Sequence, residues 1–182
     1  MNRKMAFLAS LTAVVVMALA PISLHAWLLY QSVFADGAMH LGVGNAVSAI
    51  VWLTVAIYWT GNLVYKVEGL QALMLPVAAI SVLLPLLFPV PRALPNTESA
   101  VFKAHLVIAL LAYSFFTIAS LHVLLMALLE RRLHGGDLPF GLQKLPPLLT
   151  MEKLLFRIIA AGFVLLTLTL GSGIVFSEEL RS

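Results

Sequence analysis

Five long apolar stretches without a charged side chain dominate this sequence. Asp, Glu, Lys and Arg are absent from residues 5–35, 37–65, 69–91, 104–129 and 158–177. About 20 apolar residues in a helix, rising about 1.5 Å each, cross a hydrocarbon core of about 30 Å. Barrel strands would be shorter and would alternate. We therefore predict an all-α membrane protein, a polytopic bundle of about five transmembrane helices at 6–32, 43–64, 70–88, 103–129 and 154–176.

Composition excludes several other classes of protein. Of the 182 residues, 62% are hydrophobic and 10% are charged, whereas soluble domains carry about 25% charged residues. A soluble domain of this size has too much surface to hide so many apolar side chains. The sequence contains no cysteine, which removes thiolate catalysis and cysteine-ligated metals. No motif indicates an enzyme, and no basic cluster indicates a nucleic-acid partner.

The distribution of basic residues predicts the orientation. Eight Lys and Arg fall on one side of the predicted bundle, and Arg92, Lys103 and Arg181 fall on the other. Because positive residues are enriched on the cytoplasmic side, we predict a cytoplasmic N-terminus. A signal peptide cleaved near residue 20 is the alternative for the N-terminal stretch, although Pro21 and the continuing apolar run disfavour it.

Local signals predict where helices bend and end. Pro76 and Pro85 predict a kink in the third helix. Gly135 follows the basic end of the fourth helix and predicts its termination. Thr150 is the predicted N-cap of the fifth helix.

Polar and small residues share faces on three of the predicted helices. On the second helix, Asn45, Ser48, Trp52 and Trp59 lie within about 60° of one another. Such a stripe indicates either helix packing, the commoner case, or a wall of a ligand pocket. Gly162 and Gly173 on the fifth helix indicate packing alone. On the fourth helix, a face about 100° wide admits either interpretation: His105, Ala109, Ala112, Tyr113, Phe116 and Ser120.

Two of the five histidines are candidate ligands. The predicted orientation places His25 and His105 near the outer side of the membrane, whereas His122 points away from the face of His105. A lone histidine in a membrane helix more often makes a hydrogen bond than a metal bond. Two imidazoles at one depth are, however, the usual requirement for holding haem iron or another metal.

Three parts of the sequence resemble one bacterial inner-membrane family. They are LGVGNAVS at 41–48, the segments 103–106 and 110–114 around His105, and LPPLLTME at 145–152 with 162–170. Together they are similar to the cytochrome c assembly superfamily (CcsA, CcmC and HemX proteins), particularly its YpjD-type branch. The resemblance implies a protein of the bacterial inner membrane that binds or presents haem at the periplasmic side during cytochrome c biogenesis.

The resemblance also suggests site residues and partners. His105 matches an outer histidine of the family and is the leading iron ligand, and His25 is the second. The expected partners are membrane lipid, haem and other cytochrome c maturation proteins. Lys103 and Arg92 are candidates for the haem propionates, and helix-face positions make Trp52 and Phe116 candidates for porphyrin contacts.

A membrane structural or interaction subunit that binds no haem is the alternative. The family carries a Trp-rich outer loop, whereas Trp27, Trp52 and Trp59 all lie in predicted helices. The family also continues with a second outer histidine and further helices. We therefore expect residues 1–182 to form a single integral membrane domain that is incomplete at its C-terminus. A transporter is a weaker hypothesis because Pro76 and Pro85 have no counterpart in the later helices.

Overall fold

The computed structural model describes residues 19–34, 38–65, 69–89, 97, 99–134 and 147–179. Helices and their short connections make up these ranges, and no strand occurs in them. Helix α1 is described over 19–33. The helices that follow are α2 (Val43–Tyr65), α3 (Leu70–Ser81), α4 (Leu84–Leu87), α5 (Ala100–His134) and α6 (Leu148–Glu179).

Four parts of the described chain are long and apolar enough to cross a membrane. They are Val43–Asn62, Leu70–Leu87, Ala100–Arg131 and Leu148–Ile174. Many large apolar side chains, such as the 79% exposed Leu86, point outward, as is normal where lipid tails surround a bundle. The predicted all-α membrane architecture is confirmed. The predicted first span lies partly outside the described residues and is helical from residue 19 onward.

One predicted helix start is wrong, and one helix continues past its predicted membrane span. Helix α5 runs from Ala100 to His134, and its apolar span Ala100–Arg131 agrees with the predicted 103–129. Helix α6 begins at Leu148 instead of 154, which places Thr150 in its first turn and not at the N-cap. A drop in hydropathy marks where a helix leaves the bilayer and not where the helix ends. Glu and Arg are good helix formers, so the backbone stays helical beyond the apolar stretch. The predicted end at Gly135 lies outside the described residues.

The third predicted span is broken close to its second proline. Helix α3 ends at Ser81 and α4 begins at Leu84. Pro85 has no N–H to donate to the carbonyl four residues earlier, which is that of Ser81, so the helical pattern fails at this point. Pro76 lies inside α3 without ending it. The predicted kink is confirmed at Pro85.

Helices α5 and α6 pack antiparallel and share the most extensive helix–helix interface among α2 to α6. His105 near the start of α5 lies beside Gly173, and Phe116 lies beside Gly162. A Cβ atom at Gly162 would lie 3.3 Å from the Phe116 ring, so this glycine permits the close approach of the two helices. The predicted packing role of these glycines is confirmed.

Helix α2 is the element that organises the candidate site. It packs against α3, α4 and α5, and hydrogen bonds described below join it to α1. The Ser114 Oγ lies 3.1 Å from the Ile50 carbonyl and the Thr54 Oγ1 lies 3.4 Å from the Ser114 carbonyl. Each hydroxyl shares its single hydrogen with a nearer carbonyl of its own helix, at 2.7 Å for Ser114 and 2.8 Å for Thr54. These contacts show which residues of α2 and α5 face each other. Buried apolar side chains cluster where α3, α5 and α6 meet: Leu70, Met74, Ile118, Leu125, Leu129 and Met151.

Candidate functional site

The polar stripe of α2 holds α1 against the bundle. Near the start of α2, the Asn45 side chain accepts a hydrogen bond from Ser32 Oγ at 2.7 Å and donates one to the His40 carbonyl at 2.6 Å. Deeper along the helix, His25 Nε2 lies 2.9 Å from Ser48 Oγ. The stripe therefore makes the interhelical packing contacts that its pattern indicates.

Trp52 continues this interface and leads into a cavity. Its Nε1 donates to the Ile22 carbonyl of α1 at 2.8 Å. Trp52 also lines a half-open cavity of about 440 Å³ between α1, α2 and α3, a volume within the range of about 300–1,000 Å³ typical of ligand sites. The α2 stripe thus makes packing contacts at Asn45 and Ser48 and forms a wall of the cavity at Trp52 and Trp59.

The cavity is mainly apolar and carries one histidine. His25 is 8% exposed, and its only hydrogen-bonded ring atom among the described contacts is Nε2. Aromatic rings of α2 form one wall, and the small side chains Ala78 and Ala79 of α3 leave room opposite. Such a space suits a flat apolar ligand that also needs one nitrogen donor. The lining of the cavity includes His25, Trp52, Tyr58, Trp59, Met74 and Ala78.

The hydrogen bond between His25 and Ser48 should contribute to the stability of the protein. Ser48 is fully buried, so Ser48→Ala should leave His25 Nε2 without a partner. We expect a loss of about 1–2 kcal/mol in the free energy of unfolding. Unfolding of the purified protein in detergent measures it. Ser120→Ala is the matched control, because exposed Ser120 bonds only within its own helix, and equal losses in the two variants would contradict the prediction.

His105 lies on a different helix interface. Its Nδ1 is 3.0 Å from the Ser172 Oγ of α6, and it does not line the α1–α2–α3 cavity. His105 precedes Ser114 by nine residues on α5, whereas Ser48, the contact of His25, precedes Ile50 by two on α2. At about 1.5 Å per residue, His105 and Ser48, the contact of His25, lie at levels about 10 Å apart along the two helices.

The remaining predicted site residues are dispersed. Phe116 packs against Gly162 at the α5–α6 interface, and Lys103 is exposed near the start of α5. Arg92 lies outside the described residues. Tyr113 is 53% exposed, so the predicted face of α5 is divided between the α6 interface and the lipid-facing surface. Of the predicted residues, His25 and Trp52 are brought together in one cavity.

Comparison with known proteins identifies the family. Residues 15–180 match the family described as Cytochrome C assembly protein. The chain belongs to the cytochrome c assembly protein family. The resemblance seen in the sequence is therefore confirmed, and it covers both the cavity and the α5–α6 interface.

The relatives of this family member include inner membrane protein YpjD of Escherichia coli. The proteins from strains K12, O6:H1 and O157:H7 are each 29% identical to this chain over 181 residues. The alignment covers 96% of this chain and 65% of the relative, so the chain spans less than two thirds of those proteins. No solved structure matches. With four apolar spans in the part of the chain that the structure describes, this family member is a multi-pass inner-membrane protein, as predicted.

One buried polar residue escaped the sequence argument. His122 has 0% exposure, and its Nε2 donates to the Met151 carbonyl at 3.0 Å. The candidate ligand face of α5 does not include it, because it points away from the face of His105. An ionisable side chain in the inner half of an apolar helix is itself a signal for a specific role, and that signal alone would have identified it.

Proposed function

We propose that this chain binds haem in the α1–α2–α3 cavity and presents it at the periplasmic side during cytochrome c biogenesis. The observation that carries the proposal is buried His25 beside Trp52 in an apolar cavity of about 440 Å³. Membership in the cytochrome c assembly protein family supports haem as the ligand. The role is one of binding and presentation, without catalysis.

The residues around the cavity fit an iron porphyrin. A neutral imidazole is a haem iron ligand. If His25 Nε2–H donates to Ser48 Oγ, the lone pair of Nδ1 remains for iron, and Ser48 fixes the ring as partners of metal-bound histidines do. The indole of Trp52 is held by its bond to Ile22 and offers a rigid apolar wall. Bound haem would supply an iron centre for delivery to a cytochrome.

The outer end of α5 is the second part of the proposal. We assign His105 as an iron ligand at that level, with Lys103 and Arg92 pairing with propionates. Phe116, the other candidate porphyrin contact, lies eleven residues farther along α5 against Gly162, too deep at about 1.5 Å per residue to touch a porphyrin held by His105. His105 and His25 lie at levels about 10 Å apart, counted at about 1.5 Å per residue. This separation favours haem binding at one histidine and then at the other over joint binding of one iron by both. With the predicted orientation, the His105 level is nearer the periplasm.

Titration of the purified protein with haem tests the proposal. The protein in detergent should develop a Soret band that saturates near one equivalent of haem, because the cavity offers a site for one porphyrin. Metal-free protoporphyrin is the control, since it can fill the space but cannot bond to an imidazole through iron. A band that rises without saturation would overturn the proposal and would favour a structural subunit that binds no haem.

A further inference from the structure

A second cavity lies between α2 and α6. It measures about 160 Å³, is half-open and has an almost wholly apolar surface. Helices α2 and α6 both pack against α5 but share no comparable interface with each other. Helix α5 therefore forms the floor of this α2–α5–α6 cavity, and its mouth faces the lipid around the bundle. The lining side chains include Ile57, Gly61, Phe115, Ile118, Leu154 and Ile158.

Two basic side chains of α6 lie beside this mouth. Lys153 and Arg157 are exposed, lie one helical turn apart and fall within the apolar span Leu148–Ile174. At about 100° per residue, Arg157 is about 60° from the lining residue Leu154, on the side away from Met151, which contacts α5. Counted in the same way, Lys153 lies about 40° farther round. Both cations therefore border the mouth of the cavity on its lipid side.

These two cations need a negative partner. A charged side chain within an apolar span is costly unless it is paired or reaches the membrane surface. No ion pair or hydrogen bond joins Lys153 or Arg157 to another residue of the described ranges. Glu152, at about 160° from Leu154 when counted at about 100° per residue, faces the other side of α6. Long basic side chains extend toward lipid headgroups while their carbon stems stay in the apolar layer, so a lipid phosphate is within the chemistry that these residues can reach.

We propose that the α2–α5–α6 cavity binds one anionic phospholipid, with an acyl chain in the apolar space and the phosphate against Lys153 and Arg157. The volume of about 160 Å³ is below the range of about 300–1,000 Å³ that holds a complete ligand. An acyl chain needs only partial enclosure, because the rest of the lipid stays in the bilayer. The predicted orientation places this end of the bundle at the cytoplasmic leaflet. The proposal does not depend on haem.

Native mass spectrometry of the full chain in detergent, titrated with phosphatidylglycerol, tests the charged part of the site. We expect one phosphatidylglycerol to bind more tightly than phosphatidylcholine, whose headgroup carries no net charge. Lys153→Gln and Arg157→Gln should each weaken phosphatidylglycerol binding by about fivefold, the contribution of one basic side chain near an anionic lipid. Arg131→Gln is the matched control. It removes the same charge from an exposed position that lies about 14 Å along α5 from the lining residue His122, at about 1.5 Å per residue.

A second pair of variants tests the apolar part of the site. Gly61 lines the cavity, and a Cβ atom there would meet nothing within 4 Å. Gly61→Leu should therefore fill the space without displacing a neighbouring helix, and we expect it to weaken phosphatidylglycerol binding severalfold. Gly171→Leu is the control, because a Cβ atom there also meets nothing within 4 Å and Gly171 does not line the cavity.

Equal losses in Arg157→Gln and Arg131→Gln would overturn the proposal, because the lipid would then respond to net charge alone. Full binding in Gly61→Leu would overturn it too, since the cavity would be unused. In the wild type, equal affinity for phosphatidylglycerol and phosphatidylcholine would refute the role of the cations, and equal affinity for glycerol phosphate without acyl chains would refute the role of the cavity. These wild-type comparisons decide the question even if a variant fails to fold.

Discussion

The His25→Ala variant should lose haem affinity by about 100-fold or more. Removing only a partner of a metal-bound histidine commonly costs about 10–100-fold, and this substitution removes the proposed ligand itself. His25 is the histidine that lines the larger cavity. Soret titration of wild type and variant in the same detergent measures the ratio. His40→Ala is the matched control, because His40 is a half-buried histidine outside the cavity and its loss should leave the affinity unchanged.

A variant that fills the cavity distinguishes the loss of room for haem from the loss of an iron ligand. Ala78 lines the cavity on α3, and Ala78→Phe would place a ring in the opening while leaving His25 intact. We expect a loss of affinity comparable with that of His25→Ala, with helix content preserved by circular dichroism. Unchanged affinity in Ala78→Phe would place haem elsewhere. If His105→Ala lost as much haem affinity as His25→Ala, the two histidines would have to bind one iron together. They lie at levels about 10 Å apart, counted at about 1.5 Å per residue.

The sequence was sufficient to predict the four long apolar helical segments found in the described residues. Charge-free stretches locate apolar spans because a charge in hydrocarbon is expensive. They do not locate helix ends, since α6 begins at Leu148, six residues before its predicted start. The break at Pro85 was predictable because a missing N–H is a local property of one residue.

The candidate site was less predictable because it depends on register between helices. The angular positions of Asn45, Ser48 and Trp52 could be counted on one helix, and they do face α1. The relative depth of His25 and His105 depends on how α1, α2, α5 and α6 slide along one another. That register is shown by pairs such as Ser114 with Ile50, which no periodicity within a single helix reveals.

The Gly44→Ala variant should lower the free energy of unfolding by about 1–3 kcal/mol, the usual cost of overpacking. A Cβ atom at Gly44 would lie 2.6 Å from the Leu84 carbonyl oxygen and 3.2 Å from the Phe88 Cβ. A carbonyl of the backbone cannot rotate away as a flexible side chain can. The start of α2 or the whole of α4 would therefore have to move. Chemical unfolding in detergent micelles, monitored by circular dichroism, measures the change.

Gly171→Ala provides the control because a Cβ there meets nothing within 4 Å. Alanine is favoured over glycine inside helices by up to about 1 kcal/mol, so this control should be neutral or slightly stabilising. A stability for Gly44→Ala equal to that of Gly171→Ala would contradict the close approach of α2 and α4. The expected difference follows from the break at Pro85, since α4 is a separate short helix that packs directly against the start of α2.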